Sequence, residues 1–226
     1  MKNKNVTRIS TIHLLGFQTP DNVTFLVFFI FLITYCVTVM GNLLIISLVS
    51  YSKTLHSPMY FFLSQLAVSD ILLATDILPK TIQAVLMKDT VILFSDCISQ
   101  FYFFCAAEML DSLFLTVMSY DRYVAICKPL HYSFIMNHRC CCIVVITLWT
   151  LTFLILLVHP FSLCRLQFCG PNIVDHFFCD LDPILKLSCS DTTIVQLQIT
   201  LLSVFLVVIP FIIIIVSYVL YYNHHS

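Results

Sequence analysis

The chain has 226 residues, 60% of them hydrophobic and 10% charged, with a net charge of −1. A soluble domain carries about 45–50% apolar and about 25% charged residues, so this excess exceeds what a globular core absorbs and marks an integral membrane protein. No basic stripe is available to neutralise phosphates, which excludes nucleic acid as a partner. With 3 glycines, no nucleophile beside a matched base and no zinc spacing, the sequence holds no catalytic constellation.

Residues 1–23 are polar, lack a signal-peptide pattern and read as a tail before a first span that serves as an uncleaved signal-anchor. Asn5-Val6-Thr7 and Asn22-Val23-Thr24 are glycosylation sequons, which need a luminal face; Asn5 is the site expected to be modified, because Asn22 lies too close to the span. Five nearly uncharged stretches follow, roughly at 24–50, 59–86, 97–126, 140–163 and 195–222. Each reaches the length of about 20 residues that a helix needs to cross a bilayer. Barrel strands would alternate apolar and polar residues, and these stretches do not. The expected architecture is an all-α transmembrane helix bundle over 24–226 with no separable soluble domain.

Between spans one and two the chain is short and basic, and Ser57-Pro58 suits a helix start, with Ser as cap and Pro in the first turn. The second span carries Asp70 and the third Asp111, and mid-span carboxylates are costly and usually functional. Two such acids can share a proton or hold a cation such as Na⁺; equally, a protonated pair can simply tie two helices together. At 100° per residue, Phe101, Phe104, Cys105, Glu108, Asp111 and Ser112 share one sector of the third span. Packing against neighbouring helices is the ordinary reading of such an aromatic face. The span ends in Met118-Ser119-Tyr120-Asp121-Arg122-Tyr123-Val124-Ala125-Ile126-Cys127, whose Asp-Arg pair can be an interfacial ion pair or a working part. Cys140-Cys141-Cys142 opens span four; lipidation is one reading, and close helix packing by small side chains the preferred one. The segment from about 160 to 194 is long, with Cys164, Cys169, Cys179 and Cys189, as suits an oxidising compartment. His176-Phe177-Phe178-Cys179-Asp180 and His224-His225 are not read as metal sites.

The run from Met118 to Cys127, continued by Lys128-Pro129-Leu130-His131-Tyr132, resembles the end of the third helix in olfactory receptors, a branch of the rhodopsin-like G-protein-coupled receptors. Gly41-Asn42, the stretch Leu55 to Ser64, Leu66-Ala67-Val68-Ser69-Asp70, and Ser217-Tyr218 eight residues after Pro210 are similar to that family's markers for helices one, two and five. The set covers nearly the whole chain in the right order.

The resemblance implies a receptor at the plasma membrane, with the N-terminus outside, a small hydrophobic odorant as ligand and a heterotrimeric G protein of the cyclic AMP pathway as partner. That topology overrides a count of Lys and Arg, which alone favours a cytoplasmic N-terminus. The resemblance assigns Asp121, Arg122, Tyr123 and Tyr218 to the switch facing the G protein, the Arg being held by its acidic neighbour at rest. It makes Phe101, Phe104, Cys105, Glu108, Met109 and Ser112, with Leu202, Ser203 and Leu206 on span five, candidates for the ligand pocket. It pairs Cys97 with Cys179 and Cys169 with Cys189, and places the ion or proton site at Asp70 and Asp111.

The family has seven helices, and this sequence ends at Ser226 after five. The expectation is that this product alone folds poorly and gives neither surface staining nor a cyclic AMP response. The competing function is then a non-signalling fragment or pseudogene product that pairs with full-length receptors. A transporter or channel ranks last, since no basic partner lies mid-span. Glu108 makes one sharp prediction: Glu108→Gln should reduce the response to amine odorants relative to neutral ones, and an unchanged amine response would contradict it.

Overall fold

The computed structural model describes residues 10–15, 20–52, 57–87, 89–169, 172–174, 176 and 178–225. In chain order the elements are β1 (Thr11–Leu15), α1 (Asp21–Tyr51), α2 (Pro58–Met87), β2 (Asp89–Leu93), α3 (Phe94–Cys127), α4 (Pro129–Ile135), α5 (His138–Leu156), α6 (Val158–Cys164), β3 (Ile173–Val174), α7 (Leu181–Lys186) and α8 (Thr193–His225). Five helical stretches are long and apolar enough to cross a membrane: Val23–Tyr51, Pro58–Met87, Phe94–Cys127, His138–Cys164 and Thr193–Val219. Helices solve the main problem of a chain in lipid, because every backbone N–H and C=O finds its partner within the segment.

The fourth span is broken once, between α5 and α6. Pro160 has no N–H to donate to the carbonyl of Leu156, four residues back, which removes one rung of the helix at that point. Asn137 starts α5 with its side chain: Oδ1 accepts from the Cys140 N–H at 2.8 Å, while Nδ2 donates to the Phe134 carbonyl at 2.9 Å. Asp191 precedes α8 and accepts both the backbone N–H and the hydroxyl of Thr193, at 2.9 and 2.6 Å. Those two bonds hold its carboxyl below the usual carboxylate range.

The described chain divides into two compact units, each assembled from three separated stretches. The first takes residues 1–38, 73–105 and 156–199. It contains the element that composition did not predict, a three-stranded sheet in the order β2-β1-β3. Here β1 runs antiparallel to β2, pairing Thr11 with Leu93 through Leu15 with Asp89, and parallel to β3, pairing His13 with Ile173. The alternation in Thr11-Ile12-His13-Leu14-Leu15 explains it: Ile12 and Leu14 are fully buried while their neighbours are not. The segment read as a polar tail thus contributes two side chains to a core that also holds Cys97, Ile98, Phe101, Leu163, Cys179, Ile184 and Ile199.

The second unit takes residues 39–72, 106–155 and 200–226. Its core joins Phe62, Leu110, Phe114, Met118, Met136, Cys141 and Val145. Phe62 and Phe114 are almost completely enclosed. Trp149, the single tryptophan, packs at its margin and donates its indole N–H to Gln65 Oε1 at 3.2 Å. A tryptophan this far inside needs such a partner.

Candidate functional site

The Asp121-Arg122-Tyr123 triplet lies in the last two turns of α3. Asp121 is buried and Arg122 is exposed. The expectation that the arginine is held by its acidic neighbour is corrected here. Arg122 Nη1 donates to the hydroxyl of Tyr218 on α8 at 3.0 Å. The Asp121 carboxylate instead accepts the hydroxyl of Tyr132 on α4, also at 3.0 Å. The reason is helical geometry, since consecutive residues project about 100° apart and do not face each other. Tyr123 joins Ser119, Arg122, Ile126, Ser217 and Tyr218 around a cavity of about 230 Å³. The four residues assigned to the switch are therefore close in space, but in two tyrosine-centred contacts rather than one ion pair.

Tyr132 was not among the expected site residues. Its position follows from Pro129, which opens α4 at a place where a missing N–H costs nothing, and folds the segment after α3 back into a helical turn. Burial first, then the hydrogen bond to Asp121, pushes its hydroxyl up to about 12. It remains a protonated donor at any physiological pH. With the folded value above the ordinary one near 10, this contribution is full below about 10 and lost as pH rises toward 12.

Asp70 and Asp111 are brought together, within electrostatic reach of each other, and Glu108 acts on Asp111 as well. Asp111 Oδ1 is buried with no hydrogen-bond partner. The Ser69 hydroxyl interacts with Asp111 and donates to the Ala107 carbonyl at 3.2 Å.

The ligand-pocket candidates divide between the units. In the first, Phe101 is 3% exposed and lies against His159, ring centres 5.9 Å apart. Phe104 meets Phe178 edge-on at 5.3 Å, and Cys105 packs against the core. In the second, Met109 is buried, whereas Glu108 and Ser203 are exposed and Leu202 and Leu206 half-buried. Ser112 donates to the Leu206 carbonyl at 3.4 Å, which ties α3 to α8. Phe101 and Met109 thus do the packing work that an aromatic face ordinarily does, while Glu108 and Ser203 keep their polar groups accessible. Cys97 is bonded to Cys179, with 5.4 Å between Cα atoms, and Cys169 to Cys189, with 5.6 Å. Asn5 lies outside the described residues.

Replacing Tyr132 with Phe should leave the buried Asp121 carboxylate without its donor and cost about 1–3 kcal/mol. In detergent-solubilised protein the unfolding midpoint should fall accordingly, whereas an unchanged midpoint would remove Tyr132 from the account.

Known proteins agree with the chemistry of this arrangement. Residues 41–225 match the 7 transmembrane receptor (rhodopsin family) profile. The chain is 44% identical over 95% of its length to olfactory receptor 1496 of Rattus norvegicus, covering 69% of that protein. It is 41% identical to olfactory receptor 1M1 of Mus musculus, over 96% of this chain and 70% of that one. With olfactory receptor 1E2 of Gorilla gorilla gorilla the identity is 42%, over 96% and 69% respectively. Five membrane-crossing helices, the ordered motifs of α1, α2, α3 and α8, and identity sustained over nearly the whole chain place it in the olfactory receptor branch of the rhodopsin-like G-protein-coupled receptors, a family of receptors and not of enzymes.

Proposed function

We propose that this receptor binds a small hydrophobic odorant on its outer side and engages a heterotrimeric G protein at the end of α3 that carries Arg122. The observation that carries this reading is the Arg122–Tyr218 contact beside its 230 Å³ cavity. An arginine turned away from its own acid presents a planar, permanently charged donor fork to a docking partner. Disulfides form on the oxidising side of a membrane, and Cys97 anchors one near the start of α3. Arg122 lies 25 residues further on, about 37 Å along a helix, which is more than the hydrocarbon core of about 30 Å. The Arg122 end therefore belongs to the cytoplasm, and the N-terminal tail to the outside, where Asn5 can carry a glycan.

On the outer side, the apolar flanks of Leu202 and Leu206 with the accessible Glu108 and Ser203 suit a volatile ligand held by a few polar anchors. Ligand binding acts by favouring one of two pre-existing arrangements. Asp70 and Asp111 fit a Na⁺ ion or a shared proton. Both supply oxygens, one of Asp111's is buried without a partner, and a Ser69 hydroxyl that donates elsewhere keeps lone pairs for a cation.

The test uses the purified chain in lipid nanodiscs and a nucleotide-free heterotrimer containing a stimulatory α-subunit. Arg122→Gln should weaken binding about tenfold or more, in line with a lost charge-assisted hydrogen bond. Equal binding by the variant would overturn the assignment.

A further inference from the structure

Three consecutive cysteines open the fourth span, and the structure separates their roles. Cys141 is 2% exposed and belongs to the core of the second unit, so for that residue close packing is the right account. Cys140 lines an apolar cavity of about 280 Å³ together with Phe62, Val117, Met136 and Val144. Cys142 is different. It points to a face of α5 that it shares with His138 four residues before it and Ile146 four residues after it. Ile146 is 63% exposed and its neighbour Ile143 58%, so this is a face that meets lipid. His138 is exposed as well, and its Nδ1 lies 3.6 Å from the Cys142 thiol. Cys142 carries no disulfide.

We propose that Cys142 is a site of S-acylation by a long-chain fatty acyl thioester, with His138 as the group that moves the thiol proton. The chemistry balances without any oxidant. The Cys142 sulfur attacks the carbonyl carbon of the acyl thioester, the bond from that carbon to the carrier sulfur breaks, and the thiol proton passes through the imidazole to the departing carrier thiolate. A new thioester replaces the old one. Three features of the place favour the reaction. The thiol is one turn inside the start of a membrane span, so an attached chain enters the bilayer directly beside Ile146. The adjacent Arg139 is exposed and cationic at the same edge, which suits the polyanionic carrier of an acyl-coenzyme A. The imidazole and the thiol sit on successive turns of one helix, so their proximity does not depend on how other helices move.

The proposal requires this edge of the span to face the cytoplasm, where acyl thioesters are available, and so rests on the orientation given above. That dependence is separable. A glycan on Asn5, removed by a glycosidase and absent from Asn5→Gln, reports the orientation independently of acylation. The deciding experiment feeds an alkyne-tagged palmitate to cells expressing the full chain, then measures hydroxylamine-sensitive label on the purified protein. The wild type should carry the label, Cys142→Ser should lose it, Cys140→Ser should keep it, and His138→Gln should acquire it more slowly. Because serine is close in size to cysteine, folding of the variant is checked by its retaining the Cys97–Cys179 bond on a non-reducing gel. Label that survives in Cys142→Ser, label lost in Cys140→Ser alone, or an unlabelled wild type with a glycosylated tail would each overturn the proposal. An unlabelled wild type with no glycan on Asn5 overturns the orientation and the acylation site with it.

Discussion

A backbone in hydrocarbon has only itself to hydrogen-bond to, and every other feature of this protein follows from that constraint. It forces the apolar stretches into helices and makes each charge in or near a span expensive. A chain that is 10% charged therefore places those charges where they are needed. Asp70, Asp111 and Glu108 lie within reach of one another. Asp121 and Arg122 stand where α3 leaves the span, and each takes a tyrosine hydroxyl as partner. Hydroxyls suit this task because they can donate to a carboxylate or accept from a guanidinium without adding charge of their own.

The same constraint explains why adjacent residues have divergent fates. On a helix, neighbours in sequence are about 100° apart, so a single run can feed a core, a cavity and the lipid at once. Asp121 turns inward to Tyr132 while Arg122 turns outward to Tyr218. Cys141 joins the core of its unit while Cys142 faces the membrane beside His138. In both runs the functional content lies in the rotation about the helix axis, which decides what each side chain can touch.

Composition made the five spans legible, because twenty uncharged residues in a row leave few alternatives. The ordered motifs made the family legible. The strand β1 was not, because five alternating residues inside a polar tail carry little signal, and their partners in β2 and β3 lie about 80 and 160 residues away. The break near Leu157 could have been read from Pro160, which removes a helical hydrogen bond wherever it stands inside a span. Tyr132 was hidden for a different reason: its role depends on α4 folding back toward Asp121, and only tertiary structure reports that. Likewise, the aromatic face of α3 could be read as pocket or as packing, and burial separates Phe101 and Met109 from Glu108.

The claim on which the receptor account turns is that Arg122 is coupled to Tyr218 on another helix and not to Asp121 beside it. A double-mutant cycle in nanodisc-held protein measures this directly, with thermal unfolding as the readout. Arg122→Gln combined with Tyr218→Phe should show a coupling on the order of 1 kcal/mol, and Arg122→Gln combined with Asp121→Asn should be additive. Strong coupling in the second cycle and none in the first would contradict the account and restore the ion pair within the triplet.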